Sequence, residues 1–298
     1  MKQAFVTGGA GFIGSHLTEL LIQDGFKVKV FDDLRLGSIN NVHESAHFIE
    51  GDIRNAELLD AEMKGSKFVF HLAAESRNLP SLGFEAAKLN IDVNVSGTLN
   101  VILSAINHKV ENVIYSASST MYGKNKSPQI ETMLPDTLTP YAASKYSGEL
   151  LFRTFSNLYG LSSHCLRYFQ VFGPRQPSSG PYALVTGIFL KQWIEGKPLT
   201  IEGDGGQTRD FVHVLDVAEA NLRASRINGC GDPINVGTGR STSIKDLANM
   251  ISKNQIHIEA RKFDLPGTQA NTQKCSDMLG WIPTRNIKDG IDYQKSQN

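Results

Sequence analysis

The chain has few cysteines and lacks the sequence patterns that mark metal-bound or disulfide-linked proteins. Its 298 residues include three cysteines, Cys165, Cys230 and Cys275, which are widely spaced and form no C-x-x-C pair. An odd and scattered set argues against a disulfide framework and against a structural zinc site, and it fits a reducing compartment. We therefore expect a cytoplasmic protein without a bound metal.

Neither a basic surface nor a membrane span is indicated by the composition. Lys+Arg and Asp+Glu both number 30, and no basic block occurs along the chain, so we expect no nucleic-acid partner. No run approaches the roughly 18 apolar residues of a membrane span, and the first apolar run is too short for a signal-peptide core. The 40% of hydrophobic residues can bury a substantial core in one large or two modest domains.

The motifs of several hydrolase classes are also absent from the sequence. We find no G-x-S-x-G nucleophile elbow, no H-E-x-x-H zinc motif and no G-x-x-x-x-G-K-[ST] phosphate loop. His71 and His213 lie in apolar strand contexts, which favours packed structural histidines over metal ligands. These absences argue against the corresponding hydrolase and nucleotidase functions.

Short β-branched or aromatic runs alternate with amphipathic segments of helical length. The runs are AFVT at 4–7, VKVF at 28–31, FVFHLA at 68–73, NVIYSA at 112–117 and CLRYF at 165–169. This alternation predicts an α/β fold in which crossover helices connect the strands of a parallel sheet. Asp24-Gly25 and Gly160 have the character of residues that follow helix ends.

From Gly173 onward the sequence changes to Gly- and Pro-rich loops around shorter elements. We place a domain boundary near residue 170, with one domain at 1–170 and a second at 171–298. The segment DFVHVLDVAEANLRA again has the pattern of a strand followed by a helix. We therefore expect the stretch at about 210–225 to return to the first domain.

A glycine-rich motif, TGGAGFIGSHL, follows the first strand and opens a helix. Gly8, Gly11 and Gly14 would allow a tight turn, close backbone approach to a pyrophosphate, and free N–H groups at the helix start. Asp32, at the end of the second strand, can accept hydrogen bonds from both ribose hydroxyls and would repel a 2′-phosphate. The pattern predicts NAD binding, and Arg35 is the one nearby feature that favours NADP.

The next strand is followed by GDIRN at 51–55. Its Asp52 and Ile53 suit the amino group and the ring face of an adenine. Taken alone, Asp52 would be an ordinary turn residue.

Two Tyr-x-x-x-Lys pairs occur, and only one has helical geometry. Tyr122 and Lys126 lie in YGKNKSP, where glycine and proline predict a loop. Tyr141 and Lys145 lie in a long helical pattern that places residues four apart on one face. Beside a bound nicotinamide, the Lys145 ammonium would lower the pKa of Tyr141 from about 10 toward neutrality, so that the phenol could move a proton.

Together these motifs resemble the extended short-chain dehydrogenase/reductase superfamily, specifically its nucleotide-sugar epimerases and dehydratases. The resemblance extends from Val6 to about Pro283. It implies a Rossmann-type doubly wound parallel sheet with a smaller C-terminal α/β lobe that binds the substrate. The residues that carry it are TGGAGFIG, Asp32, GDIRN, HLAAES, NVSGT, SASSTMYG, PYAASK, RYF-x-VFGPRQ, LTIEGDGGQTRDFVHVLDVA and INVGTG.

The resemblance also implies a role for individual residues. Tyr141 is the catalytic acid/base, Lys145 tunes it and holds the nicotinamide ribose, and Ser118 contacts the reacting sugar oxygen. The residues expected to contact NAD are Gly8, Gly11, Phe12, Ile13, Gly14, Asp32, Asp33, Asp52, Ile53, Leu72, Ala73, Ala74, Asn94, Ser116, Tyr141, Lys145 and Tyr168. Those expected to contact the nucleotide-diphosphate sugar are Glu75, Ser118, Ser119, Thr120, Gln170, Val185 and Arg209.

Related dehydratases carry an Asp-Glu pair directly after the catalytic hydroxyl residue, where this chain has Ser119 and Thr120. Hydroxyls with pKa values far above neutrality cannot replace the carboxylates in that elimination. This favours an NAD-dependent epimerase acting at C4 through a transient 4-keto sugar. A 4,6- or 5,6-dehydratase using Glu75, a 4-ketosugar reductase, and a non-catalytic NAD(P)-binding sensor are the alternatives; Glu75 could equally be a loop residue.

Two departures from the family pattern concern the substrate. Gln170 stands where the family has Asn, and Leu265 stands where it has a second diphosphate-binding Arg. RDF at 209–211 resembles the family segment whose Arg pairs with the substrate diphosphate, so the resemblance implies that role for Arg209. Arg261 or Lys262 could supply the missing charge. A UDP-sugar is the expected substrate.

Quaternary structure and biological role are also expectations from the family. The segments at about 86–107 and 143–159 would form the interface of a homodimer, with Leu150, Phe152 and Phe155 on its face, although core packing explains these residues equally well. The resemblance further implies carbohydrate metabolism, including biosynthesis of cell-surface polysaccharide.

Overall fold

The predicted apolar runs form strands of one central sheet. A computed structural model describes residues 2–76, 80–260, 265 and 267–297. The strands are β1 (Gln3–Thr7), β2 (Lys27–Asp32), β3 (His47–Glu50), β4 (Phe68–His71), β5 (Asn112–Ser118), β6 (Ser163–Tyr168), β7 (Gln170–Phe172), β8 (Leu199–Glu202), β9 (Thr208–Arg209), β10 (Phe211–His213), β11 (Cys230–Val236), β12 (Thr242–Ser243) and β13 (Gln255–Ile258).

Helices occupy most of the segments between the strands. They are α1 (Phe12–Gln23), α2 (Ala56–Met63), α3 (Phe84–Ile91), α4 (Thr98–Asn107), α5 (Pro140–Tyr159), α6 (Val185–Ile194), α7 (Val214–Ala224), α8 (Ile244–Ile251), α9 (Gln273–Leu279) and α10 (Ile287–Ser296).

Seven strands form the main sheet in the order β11-β6-β5-β4-β1-β2-β3. The pairs β1–β2, β1–β4, β2–β3 and β4–β5 are parallel. The order reverses at β1, as in doubly wound sheets, and α1 and α5 pack against strands of this sheet. The predicted Rossmann-type α/β fold is confirmed.

An apolar cluster connects this sheet to its helices. Each fully buried Phe or Leu side chain contributes roughly 1.5–3 kcal/mol relative to an exposed one. The cluster includes Phe5, Phe31, Leu59, Val69, Val101, Val113, Tyr115, Phe152 and Cys165.

Helix α5 has the boundaries that its sequence predicts. The Thr139 hydroxyl accepts a hydrogen bond from the Ala142 amide at 3.2 Å, and Pro140 occupies the first turn, where no amide donor is needed. Gly160 ends the helix with φ 68°, a left-handed conformation that glycine adopts without steric cost. The local sequence therefore places Tyr141 in the first turn of α5.

The other Tyr-x-x-x-Lys pair lies outside any helix, as predicted. Tyr122 ends a short 3₁₀ turn that begins at Ser119, and no helix covers 123–126. Its phenol donates a hydrogen bond to Asn235 Oδ1 at 2.7 Å and is buried. Tyr122 is therefore a packed structural residue.

A π-helical turn, Asp92–Gly97, connects α3 and α4 into one continuous helical stretch. Among the described residues, the stretch Phe84–Asn107 alone has the length and apolar composition of a membrane span, and half of it is buried inside the protein. Buried polar residues such as Asn90 and Asn94 lie within it. We interpret the stretch as a core helix.

The chain divides into two compact units. The first contains Met1–Met121, Thr137–Arg167 and Val217–Ile234, and the second contains Tyr122–Asp136, Tyr168–Asp216 and Asn235–Asn298. The units therefore interleave in sequence. The predicted domain boundary near residue 170 and the return at about 210–225 stay predictions.

Candidate active site

The glycine motif forms a tight loop between β1 and α1. Gly8 has φ +72°, and a Cβ there would lie 2.6 Å from the Ala73 amide nitrogen. A Cβ at Gly14 would collide with the Gly8 carbonyl oxygen. Gly11 occupies the N-cap position of α1, and no side chain there accepts a hydrogen bond from the first-turn N–H groups of the helix. The loop fits the predicted pyrophosphate cradle, whose next residues, Phe12 and Ile13, begin the helix.

Asp32 is fixed at the end of β2 beside this loop. Its Oδ2 accepts a hydrogen bond from the Ala10 amide at 3.0 Å, and its Oδ1 accepts one from the Leu34 amide at 2.9 Å. Burial raises the pKa of Asp32, and these two bonds oppose that rise. Each carboxylate oxygen keeps a second lone pair, so the geometry is compatible with ribose hydroxyls.

Arg35, the feature that favoured NADP, is engaged by two carboxylates. Its Nη1 donates to Glu75 Oε2 at 2.5 Å, and its Nε lies 3.5 Å from Asp33 Oδ2. The exposed Asp33 also accepts a hydrogen bond from the Arg35 amide at 3.1 Å. In this conformation the Arg35 guanidinium is therefore paired with acidic side chains.

The predicted adenine contacts lie in the turn after β3. Asp52 accepts hydrogen bonds from the Arg54 amide and guanidinium, at 2.8 Å and 3.0 Å for its Oδ1. Burial acts to raise the pKa of Asp52, but the bonds from Arg54 outweigh it and lower the pKa. Ile53 is buried, and a Cβ at Gly97 would approach its Cδ1 to 2.6 Å.

The loop after β4 is tied to the end of β1. The Leu72 amide donates to the Thr7 carbonyl at 3.0 Å, and the Ala73 amide donates to Thr7 Oγ1 at 3.2 Å. The Thr7 hydroxyl also contacts His71 Nδ1 at 2.7 Å. Burial lowers the pKa of His71 to about 3, so this histidine is neutral and structural, as its strand context predicted. Ala74 continues the loop and is half-buried.

Asn94 connects this loop to helix α5. Its Oδ1 accepts a hydrogen bond from the Glu75 amide at 2.8 Å, and its Nδ2 donates to the Glu75 carbonyl at 2.9 Å and to Ser144 Oγ at 2.9 Å. Ser144 Oγ donates in turn to the Tyr141 carbonyl at 2.9 Å. Asn94 was predicted to contact NAD, but sequence reasoning did not identify Ser144 or this connection.

The Ser118 hydroxyl lies near the Tyr141 phenol. Burial raises the pKa of Tyr141, and the Ser118 hydroxyl opposes that rise. The Ser118 hydroxyl also contacts Thr120 Oγ1 at 2.9 Å. Ser119 and Thr120 are half-buried in the 3₁₀ turn after β5, and Ser116 is half-buried on β5 itself. The structure thus brings the predicted hydroxyl and phenol together.

Without a cofactor the pKa of Tyr141 is raised, and the lowering by Lys145 beside a bound nicotinamide stays a prediction. Lys145 is itself buried, and burial lowers its pKa to about 7. A lysine that carries only part of a charge near neutral pH cannot offset the burial of the phenol. The Lys145 Nζ lies 4.3 Å from the centre of the Tyr115 ring, a cation–π contact that fixes its position.

A buried ion pair beneath Lys145 was not identified from the sequence. Arg167 Nε lies 3.0 Å from Glu149 Oε1, and its Nη2 lies 2.7 Å from Glu149 Oε2. Glu149 opposes the loss of charge on Lys145. The available signal was the spacing, because Tyr141, Lys145 and Glu149 recur every four residues on one helix face.

We predict that Lys145 makes the stability of the cofactor-free protein depend on pH. Its pKa is about 7 in the folded chain and 10.5 ordinarily, so between these values the unfolded chain binds the extra proton. The free energy of unfolding then rises with pH, by up to about 1.4 kcal/mol per pH unit from this group. Urea unfolding from about pH 7 to about pH 9 should show a smaller rise for Lys145→Met than for the wild type. Parallel curves would contradict the prediction, and Lys64→Met, at an exposed position, controls for the loss of a lysine.

The remaining predicted residues belong to the second unit. Tyr168 is buried, the Gln170 amide donates to the Asp210 carbonyl at 2.9 Å, and Val185 is the first residue of α6. Arg209 Nη1 donates to the carbonyl of Leu265 at 2.9 Å. Arg209 thus contacts the backbone of the residue that replaces the family's second arginine.

Two candidate replacements for that arginine, Arg261 and Lys262, lie outside the described residues.

Among the described residues, no group of three or more His, Cys, Asp and Glu side chains is arranged to hold a metal ion.

The parallel sheet, the glycine loop and the Ser118–Tyr141–Lys145 set together define a dinucleotide-dependent enzyme of the short-chain dehydrogenase/reductase type. The sequence model of the "NAD dependent epimerase/dehydratase family" matches residues 4–237. The chain belongs to this family, which confirms the predicted resemblance, and its cofactor is NAD.

Solved structures of similar proteins extend over almost the whole chain. A UDP-glucose 4-epimerase from Thermotoga maritima, solved with UDP-glucose, is 32% identical with a TM-score of 0.94, covering 99% of this chain and 100% of its own. A UDP-N-acetylglucosamine 4-epimerase from Methanobrevibacter ruminantium is 33% identical with a TM-score of 0.92, covering 100% and 99%. A UDP-glucose 4-epimerase from Thermus thermophilus, solved with NAD, is 32% identical with a TM-score of 0.89, covering 97% and 96%.

Proposed function

We propose that the protein is an NAD-dependent epimerase that acts at C4 of a UDP-sugar. The observation that carries this proposal is the combination of Ser118, Tyr141 and Lys145, together with Ser119 and Thr120 at the positions where an elimination requires carboxylates. The similar 4-epimerases support the same activity.

In this proposal Tyr141 and Ser118 act on the 4-hydroxyl of the sugar, and one proton is transferred. Tyr141 Oη takes the proton of the sugar 4-hydroxyl and later returns it, while Ser118 Oγ hydrogen-bonds to the same sugar oxygen. Bound NAD would supply the acceptor for the C4 hydrogen and its electron pair, which would return to the opposite face of the 4-keto sugar. Lys145, in its protonated form, favours the phenolate and is placed on the helix face of Tyr141.

Glu75 argues against the dehydratase alternative. Its carboxylate accepts a hydrogen bond from the Arg35 guanidinium, and its amide and carbonyl are both held by Asn94. A carboxylate whose oxygen is bound by a guanidinium is poorly placed to reach a leaving hydroxyl. We assign Glu75 a structural role in the cofactor-binding unit.

The remaining assignments rest on the family resemblance. Arg209, whose Nη1 donates to the Leu265 carbonyl, would pair with the substrate diphosphate. Gln170 and Val185 would contact the substrate, and Tyr168 the cofactor. A homodimer, a cytoplasmic location and a role in cell-surface polysaccharide biosynthesis stay predictions.

Product analysis tests the proposed function. We expect incubation with UDP-glucose or UDP-N-acetylglucosamine to yield the C4 epimer at unchanged mass, identified by the coupling constants of the H4 proton in NMR spectra. Incubation in D₂O should leave the carbon-bound hydrogens unexchanged, because Tyr141 handles only the hydroxyl proton. Loss of one water from the sugar would establish a dehydratase instead, and net consumption of NADH would establish a reductase.

A further inference from the structure

Two loops of the first unit flank the glycine loop. On one side, the space at Gly8 is closed by the backbone of Ala73, in the loop after β4. On the other side, the Ala10 amide donates to Asp32 at 3.0 Å, and the Ala10 carbonyl accepts from the Ser38 amide at 3.0 Å, in the loop after β2. The sheet order agrees, because β1 lies between β4 and β2.

One ion pair joins these two flanking loops directly. Arg35, in the loop after β2, donates from Nη1 to Glu75 Oε2, in the loop after β4, at 2.5 Å. The side chain of Glu75 is 1% exposed, whereas that of Arg35 is 34% exposed. The pair therefore connects the two sides of the glycine loop at the carboxyl ends of the strands, where a dinucleotide enters a doubly wound sheet.

The two ends of this pair are held differently. Glu75 is anchored, because Asn94 binds both its amide and its carbonyl. Arg35 lies in an exposed turn after Leu34, whose φ is +56°, and it also contacts the exposed Asp33. Opening the pair thus requires movement of the Arg35 side chain and leaves Glu75 in place.

We propose that the Arg35–Glu75 ion pair is a strap that slows the exchange of NAD. A bound dinucleotide on the glycine loop lies between the two loops that the strap joins, so entry and exit require the ion pair to open. Separating it breaks a charge-assisted hydrogen bond to a buried carboxylate, which makes the open state costly. The inference rests on NAD binding by the family and not on epimerisation at C4.

Retention of the cofactor matters for an enzyme that uses one cofactor molecule in both halves of its cycle. If the molecule left between the two halves, the sugar would remain oxidised and the protein would have to bind a new cofactor in the right redox state. A strap on the cofactor side meets this need while the substrate exchanges freely.

The test measures cofactor exchange in Glu75→Gln, Arg35→Gln and the double variant. Each protein is purified with its bound NAD, mixed with excess isotopically labelled NAD, and sampled by mass spectrometry of the protein-bound nucleotide without any sugar present. We expect release to accelerate about tenfold or more in each single variant. The double variant should be no faster than the faster single variant, because both changes remove the same interaction.

Glu111→Gln is the matched control. Glu111 Oε1 lies 3.2 Å from Lys67 Nζ in an exposed ion pair. The two residues directly precede β5 and β4, so this pair lies at the amino ends of the strands. Its loss should leave exchange at the wild-type rate.

Several outcomes would overturn the strap. Exchange of NAD at the wild-type rate in Arg35→Gln would contradict the proposal. This variant is expected to fold because the Arg35 side chain is partly exposed. Additive acceleration in the double variant would show two separate contacts to the cofactor. Loss of turnover in Glu75→Gln with unchanged exchange would assign Glu75 to the sugar. Since no sugar is present in the exchange assay, failure of the strap and failure of the 4-epimerase proposal are distinguishable.

Discussion

Tyr141→Phe is expected to lower the rate of C4 epimerisation by about a thousandfold, the range typical of a lost acid/base group. The change removes the phenolic O–H near Ser118 and keeps the ring. Folding and NAD content should therefore remain near those of the wild type. The measurement is the initial rate of epimer formation from UDP-glucose, together with the bound NAD determined after denaturation.

Tyr159→Phe provides the control within the same helix. Tyr159 is 62% exposed at the last turn of α5, and its ring stacks on Phe155 with centroids 5.5 Å apart, a contact that phenylalanine retains. This variant should turn over like the wild type. If Tyr141→Phe also retained wild-type turnover, the catalytic role would be lost and a non-catalytic NAD-binding protein would be the better interpretation.

Arg167→Met is expected to lower the free energy of unfolding by about 3–5 kcal/mol. Arg167 and Glu149 are both almost fully buried and share a two-pronged ion pair, so the substitution leaves a buried carboxylate without its cation. Burial already raises the pKa of Glu149, and Arg167 opposes that rise. Denaturant unfolding of the NAD-free protein measures the loss.

The exposed pair of Arg226 and Asp24 supplies the matched comparison. Arg226 Nη2 lies 2.6 Å from Asp24 Oδ1, yet both side chains are open to water, so Arg226→Met should cost less than about 1 kcal/mol. Replacing both buried partners, as in Arg167→Met with Glu149→Leu, should recover part of the lost stability. Equal losses for the buried and exposed arginines would contradict this account.

The parts of the fold that follow from the sequence are those determined by local patterns. The strand, glycine loop and helix from Gln3 to Gln23 form one contiguous segment, and α5 has a capping threonine, a first-turn proline and a terminal glycine. Tyr141 and Lys145 share a face because they are four residues apart on that helix. A strand before GDIRN was expected, but its bounds were not predicted, since two residues of β3 are exposed, two are half-buried and they show no clear alternation.

The contacts that were not predicted from the sequence join residues that are distant along the chain. Glu149 and Arg167 are eighteen residues apart, and Arg35 and Glu75 are forty apart. No local periodicity links such partners, because their meeting depends on the order of the strands in the sheet. The same holds for the pKa of Tyr141, which depends on burial in the folded chain more than on its neighbours in sequence.

The π-helical turn at Asp92–Gly97 has a consequence for how relatives of this chain can vary in length. A π turn holds one residue more than a regular α-helical turn, so deleting one residue there would yield an ordinary helix. The flanking helices α3 and α4 would stay in phase, because the π turn fits the extra residue into one turn, but the side chains of the turn itself would change direction. Asn94 could then no longer face both Glu75 and Ser144. Substitutions on the outer face of this segment are compatible with the fold, whereas a gap in an alignment at this point would signal a differently built cofactor loop.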